Sequence, residues 1–361
     1  MSDASAPLKH RALVNVSRPT SERMWVLCGF AFLAVVQSAI ADGGASVSVA
    51  LAALVSAVLA ELFLTFREHG LSKIGDGSAA ASAAVLVLLL PNQIHPMNAA
   101  LGAVFAVVVV KRSFGGLGSN WMNPALGGWL FARFSWPAAF RQAEIPYEYL
   151  PEAVSAVDAA VRDFLNGTVF GVFGAELPAG YVDLFWARSP GIIADRAVLA
   201  LFLLVAVMFA FRASRWWVSV LYLAVFAVLV RLLGNLPAGG YLWEGNVILS
   251  LLSGGTLVTA FVLIADPSSG AKSIPGTVVA AVLAAGLAVL FRYFGGEPYG
   301  GFFAVALVNA LTPLLSRLER LAFYVTPANA RRPDGAGVSG SGSGSGKPLP
   351  AGGSGLRGGA V

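Results

Sequence analysis

The stretch Ser253-Gly254-Gly255-Thr256, continuing through Ala265-Asp266-Pro267 to Arg292-Tyr293-Phe294-Gly295-Gly296, decides how this chain is read. A cluster of small residues opens an apolar run and an Asp-Pro closes it. A second apolar run then ends in an aromatic followed by two glycines. The plan occurs earlier as well. Asp76-Gly77-Ser78 opens a run ending at Pro91, and another run ends in Arg112-Ser113-Phe114-Gly115-Gly116. Two copies of one unit, one in each half, mark an internal duplication.

Composition fixes the solvent. Hydrophobic residues make up 57% of the 361 and charged residues only 12%, and mean hydropathy is +0.74. A soluble domain carries about 25% charged residues, so this chain is built for lipid. A single cysteine, Cys28, excludes a disulfide framework and a cysteine-ligated iron–sulfur or zinc centre. His10, His69 and His95 are too scattered for paired haem ligation, so any redox cofactor is organic and no metal site is expected. The net charge of +5 does not point to nucleic acid, because the bases fall mainly between apolar runs.

Residues 1–23 are polar and read as a retained cytoplasmic tail, since no small-residue cleavage site follows an apolar core. Apolar runs follow at 24–41, 46–66, 77–91, 97–110 and 121–139, then at 196–212, 216–235, 244–265, 276–291 and 300–316. Several are shorter than the roughly 20 residues a full span needs. Short runs punctuated by Gly and Pro, in matching places of two halves, point to broken helices that meet at a site.

Charge sets orientation. With the amino terminus inside, Arg67, Lys73, Lys111, Arg112, Arg212, Arg215, Lys272, Arg317 and Arg320 all fall on the inner side, and the acids of 140–195 fall outside. This follows the positive-inside rule with ten spans and both termini in the cytoplasm. Parity places the Lys111-Arg112 end inside and Arg292 outside, so the halves are inverted, five spans against five. The expected fold is an all-α polytopic membrane protein. Its parts are a membrane repeat at 24–139, a periplasmic lid or docking loop at 140–195, a second repeat at 196–324 and a flexible Gly/Ser-rich tail at 325–361.

Six short motifs occur here in one order: Asp76-Gly77-Ser78-Ala79, Phe114-Gly115-Gly116-Leu117-Gly118, Asn123-Pro124-Ala125-Leu126-Gly127, Ser253-Gly254-Gly255-Thr256, Ala265-Asp266-Pro267 and Phe294-Gly295-Gly296. With them the chain resembles, across residues 20–325, the membrane subunit shared by the Rnf and sodium-pumping Nqr complexes, the RnfD/NqrB family. The resemblance implies a ten-helix flavoprotein of the bacterial inner membrane. It would pass electrons within a complex coupled to ion translocation, and it has no nicotinamide site of its own. It implies partners too: other membrane subunits, and a separate periplasmic subunit bearing its own flavin. Iron–sulfur centres would come from other subunits.

The residues give this chemistry a physical form. An isoalloxazine ring needs close backbone approach, aromatic walls and a few amide or carboxyl partners along one edge. Gly115, Gly116, Gly254, Gly255 and Gly295 (with Gly296) can allow the approach, Phe114 and Phe294 can wall it, and Thr256 lies in the same cluster. By resemblance, Asn123 and Asp266 look like the contacts to a noncovalent flavin, riboflavin or FMN. Each residue also has a plainer reading. Glycines serve helix packing, aromatics at span ends anchor at the interface, and Asp266-Pro267 can simply stop a helix. Arg133 can snorkel or pair with an acid such as Glu144, and Glu61 can belong to an ion pathway or sit at a helix end near Arg67. His95, between Pro91 and Pro96, reads as structural.

One departure stands out. Members of the family carry a periplasmic Ser-Gly-Ala-Thr segment whose threonine receives FMN through a phosphoester. Here the interval reads Ser155-Ala156-Val157-Asp158-Ala159-Ala160-Val161-Arg162-Asp163, and Val161 stands where the threonine belongs. Valine has no hydroxyl to esterify, so covalent FMN is not expected. Thr168 is the nearest alternative. The expected function is therefore an electron-transfer subunit with bound flavin. A solute channel or transporter of the inverted-repeat type is the alternative, and a purely structural scaffold is a third reading.

Overall fold

The computed structural model describes residues 20–69, 77–113, 120–141, 155–170, 178–185, 191–210, 215–266, 269–270 and 273–325. Contacts divide the chain into Met1–Glu319 and Arg320–Val361, and every element used below belongs to the first apart from the end of the last helix. The expectations for residues 1–19, for Phe114, Gly115 and Gly116, for Glu144 and for the Gly/Ser tail lie outside the described residues.

The described chain is helical. In order it forms α1 (Thr20–Asp42), α2 (Ala45–His69), α3 (Ser78–Leu89), α4 (Pro96–Phe105), α5 (Pro124–Ser135), α6 (Pro137–Arg141), α7 (Ala156–Leu165) and α8 (Tyr181–Phe185). There follow α9 (Val198–Ala210), α10 (Trp216–Leu233), α11 (Val247–Leu252), α12 (Thr256–Val258), α13 (Ile274–Val289) and α14 (Gly300–Val325). No strand forms among the described residues, only one isolated bridge between Pro91 and Ile192. Among the described residues four helices are long and apolar enough to cross a membrane: Ala45–Phe66, Trp216–Ala238, Ile274–Phe294 and Gly300–Leu318. The protein is a multi-pass membrane protein. Exposed Phe32, Ile40, Phe63 and Phe66 face outward from α1 and α2, as lipid-facing side chains do.

The shorter helices explain themselves through their ends. Alanine-rich and almost wholly buried, α3 starts from Gly77 in the left-handed region, φ 69°. Pro91 lacks an amide and cannot extend the helix. Its last carbonyls therefore need other donors. They find them in the turn just before α9: Ile193 N donates to Leu90 O at 3.0 Å and Ala194 N to Leu88 O at 2.9 Å. The apolar run at 244–265 is likewise divided. α11 stops at Leu252, Gly254 and Gly255 adopt φ 64° and 67°, and α12 leads straight into a π-helical turn at Thr259–Leu263. A residue with a Cβ meets a steric cost at such φ, which is why glycine stands there.

Two helices end alike. α4 passes into a π-helical turn at Ala106–Arg112, and α13 into one at Leu290–Phe294. Their packing also matches, α2 lying mainly along α4 and α10 along α13. The run at 121–139 is broken at Trp136, where Pro137 opens α6. Fully buried Trp129 of α5 meets Phe140, Tyr299, Phe302 and Phe303 edge-on, with centroids 4.9 to 6.4 Å away, and so locks α5 against α14.

Asp42 closes α1 beyond its apolar run. Its carboxylate accepts from Gly44 N at 3.0 Å, from Asn92 Nδ2 at 3.1 Å and from the Ser46 hydroxyl. Burial alone would raise its pKa. The bonds from Ser46, Asn92 and Gly44, with the positive charge of Arg196, outweigh that and hold it below the usual carboxylate value. A depressed folded-state pKa stabilises the fold above the unfolded value and is lost as pH falls through the folded one. The melting temperature is therefore expected to drop as pH falls below the ordinary carboxylate range. In Asp42→Asn that part of the slope should be missing. An unchanged slope would show that other carboxylates carry it.

Candidate functional site

The two polar residues singled out at run ends, 143 positions apart, meet in space. Asn123 caps α5: its Oδ1 accepts from Ala125 N at 3.0 Å, and Pro124 fills the first helical position, where no amide is needed. The cap commits Oδ1 and leaves the amide nitrogen to donate to Asp266 Oδ2 at 2.9 Å. Ser269 Oγ donates to the same oxygen at 3.2 Å. Asp266 sits just past the π-helical turn that follows α12, so the helix break and the turn together set where this carboxylate emerges.

Behind Asp266 lies a narrow cleft between α10, α13 and α14. It is lined by Arg215, Val218, Asp266, Thr277 and Asn309, with Ile264, Ala280 and Val308 as apolar walls. Arg215 Nη1 donates to Thr277 Oγ1 at 3.1 Å. The Nδ2 of Asn309, on a residue only 3% exposed, has no hydrogen-bond partner. An acceptor, a cation, a hydroxyl and an unsatisfied amide donor thus converge on one apolar-walled space.

The Ser253–Thr256 break is filled from within. A Cβ at Gly254 would strike the carbonyl of Pro298 and the guanidinium of Arg292, and one at Gly255 would enter the ring of Phe302. Arg292 Nη1 donates to Ser250 O at 2.9 Å and Ser253 O at 3.0 Å, the end carbonyls that α11 leaves open, and to Thr256 Oγ1 at 3.1 Å. Its Nη2 donates to Ser253 Oγ at 2.6 Å. Thr256 Oγ1 is 2.7 Å from Ser250 O and 3.0 Å from Ser253 O. The break is also held from the far side, where Asp195 Oδ1 accepts from Gly255 N at 2.8 Å.

The first half carries a counterpart. Lys111, at the end of the π-helical turn after α4, donates to Ser78 Oγ at 2.6 Å, next to left-handed Gly77. Arg292 lies within the equivalent turn and reaches Thr256, next to left-handed Gly255. Lys111 also pairs with Glu61 at 3.1 Å and Arg112 with the same carboxylate at 3.4 Å, while Arg112 donates to Thr65. Glu61, 8% exposed, is therefore the shared partner of two cations in the protein interior. Sequence reading placed it near Arg67 and did not find this pair. The basic pair Lys111-Arg112, at the run end whose Arg112 matches Arg292 in the other copy, was the available signal.

Other expectations are corrected or refined. Arg133 pairs with Glu297, whose two oxygens are each 3.0 Å from Nη2, while Glu144, the acid expected from sequence, lies outside the described residues. Phe294 is 53% exposed, Gly295 ends its π-helical turn, and His95 caps α4 through Nδ1 accepting from Met97 N at 3.3 Å. Val161 lies on α7, half-buried, and Thr168 is exposed with its hydroxyl donating to Phe164 O at 2.6 Å. Asp158 is fully buried and accepts from Gly180, Val182 and Asp183 backbone amides at 2.8 to 3.1 Å, which ties α7 to α8. Among the described residues no group of three or more His, Cys, Asp or Glu is placed to hold a metal ion.

Comparison with known proteins gives one consistent picture. The sequence matches the NQR2, RnfD, RnfE family over residues 8–324. It is 26% identical over 315 residues to the D subunit of the proton-translocating ferredoxin:NAD(+) oxidoreductase complex of Clostridium ljungdahlii, covering 85% of this chain and 92% of that one. Against the D subunit of the Na(+)-translocating ferredoxin:NAD(+) oxidoreductase complex of Acetobacterium woodii, identity is 27% over 253 residues, 70% of this chain and 74% of the relative. Against the D subunit of the ion-translocating oxidoreductase complex of Sodalis glossinidius it is 29% over 354 residues, 89% and 98%.

Proposed function

The chain belongs to the NQR2, RnfD, RnfE family, and on that premise we propose that it is the D-type membrane subunit of an Rnf-like electron transport complex. It passes electrons through a noncovalently bound flavin, and the complex couples that transfer to ion translocation. Its partners are the complex's other membrane subunits and a flavin-bearing subunit on the periplasmic side. It resides in a bacterial inner membrane.

The observation that carries the flavin assignment is the Asn123–Asp266 hydrogen bond at the entrance to a cleft containing the unpartnered amide of Asn309. The polar edge of an isoalloxazine alternates acceptors and donors, and this set answers both kinds: Asn309 Nδ2 and Arg215 donate, Asp266 accepts, and Thr277, whose own proton goes to Ser273 O at 2.7 Å, accepts. The cleft is narrow, so it suits a ring edge and not a whole ring plane. Bound there, the cofactor supplies one- and two-electron chemistry. The residues' part is to hold and orient it, with Ile264, Ala280 and Val308 keeping water from the apolar side. In this reading Gly254, Gly255 and Thr256 serve at one remove, by shaping the break that delivers Asp266. Riboflavin fits the set as well as FMN, since none of these residues is committed to a phosphate. Val161 offers no hydroxyl for attachment. Visible absorption by the purified chain is the direct test.

The architecture we infer is two inverted five-helix repeats, ten crossings, with both termini in the cytoplasm. Support comes from left-handed Gly77 and Gly255, each followed by a hydroxyl bonded to a base from a π-helical turn, and from the matched α2–α4 and α10–α13 packing. Cysteines introduced one at a time, with Cys28 replaced, should react with an impermeant reagent from outside around 155–185. They should not react at 67–73 or 212–215. Outside labelling at the latter positions would overturn both the orientation and the inversion.

A further inference from the structure

Buried polar atoms without partners are rare in folded proteins, and each calls for an explanation. Four of those in this protein lie along one path through the second half: Asp195 Oδ2, Tyr222 Oη, Ser219 Oγ and Asn309 Nδ2. Their residues are 6%, 0%, 0% and 3% exposed. Contacts lead from Asp195 to the neighbourhood of Tyr222, and position along α10 leads from Tyr222 to the cleft. Asp195 accepts from Gly255 N, and Gly255 O accepts from Thr259 Oγ1 at 2.7 Å. Thr259 Oγ1 and Tyr222 Oη both border the space where Gly301 has no side chain: a Cβ there would lie 2.9 and 3.3 Å from them. Ser219 is one turn before Tyr222 on the same face of α10, and the next residues along that face are Val218 and Arg215, which line the cleft together with Asn309.

We propose that this row binds a file of internal water molecules, a proton relay joining the Asp195 carboxylate to the Asp266 cleft. The row itself stands on the unpartnered atoms; only its destination rests on the flavin reading. Hydroxyls such as those of Ser219 and Tyr222 both donate and accept, as a relay requires, and an apolar lining would have left no buried donor or acceptor to satisfy. Gly301 is the position that leaves room: any larger residue closes the gap between Thr259 and Tyr222.

Radiolytic hydroxyl-radical labelling of the whole protein in detergent tests the file, because side chains beside bound internal water are oxidised despite being inaccessible to bulk solvent. Tyr222 should be oxidised, with exposed Tyr241 as positive control and Phe226, equally buried one turn away, remaining unmodified. In Gly301→Ala the Tyr222 label should be lost while Tyr241 labels as before. Tyr222 as unreactive as Phe226 in the wild-type chain would overturn the proposal. The outcome is independent of whether the preparation carries flavin, so failure of the relay and failure of the cofactor assignment are separately readable.

Discussion

Asp266→Leu is expected to reach the membrane in normal amounts and to purify with little or none of its flavin. The substitution removes an acceptor that Asn123 Nδ2 approaches at 2.9 Å and Ser269 at 3.2 Å, and it leaves both donors facing an apolar side chain. Losing one partner of a buried hydrogen bond typically costs about 1–3 kcal/mol, roughly five- to over a hundredfold in ligand affinity. Asp266→Asn preserves a hydrogen-bonding group and should retain more flavin. Asn123 needs a finer substitution because it also caps α5. Asn123→Ser keeps a capping oxygen and deletes the amide donor, so it should lower occupancy without the instability that Asn123→Leu would add. Equal flavin content in Asp266→Leu and wild type would return this pair to a helix-positioning role.

Glu61→Leu should be the most destabilising single change within the membrane core. Lys111, 3% exposed, and Arg112 share this carboxylate, and Lys111 also fixes the start of α3 through Ser78. Removing one partner of a buried ion pair leaves an uncompensated charge and costs about 3–5 kcal/mol. Most of the protein should then aggregate on extraction. Combining Glu61→Leu with Lys111→Met should recover much of the loss, since the stranded ammonium is gone. A single variant as stable as wild type would mean that Glu61 is not the charge partner of these cations in the membrane.

Much of the fold was legible because lipid imposes a simple rule. Apolar runs mark helices, and Gly254-Gly255 and Pro91 mark where they break. The Asn123–Asp266 contact was partly legible too, since polar groups at run ends must be satisfied and these two were the evident candidates. What periodicity cannot encode is which distant partner each charge takes. Arg133 finds Glu297, 164 positions away, and Glu61 finds Lys111 and Arg112 on another helix, because helix packing and not sequence distance sets the pairing. Arg292 was read as the end of a motif, yet it holds four groups of the broken helix. The residues of the Gly254–Thr256 cluster carried a double reading, packing or cofactor. Only the positions of Phe302 and Arg292 reveal what fills the space beside them.

Whether this subunit holds its proposed flavin without a covalent bond is read from the visible absorption spectrum of the purified protein, taken before and after denaturation. The expected result is a yellow protein with flavin bands in the blue, all of the flavin released into solution on unfolding, and a denatured gel band that stays dark under ultraviolet light even when an enzyme that esterifies FMN to threonine is co-produced. A fluorescent band would contradict the noncovalent assignment and make Thr168 the residue to examine. A colourless protein, above all one that conducts a solute in vesicles, would contradict the electron-transfer reading itself.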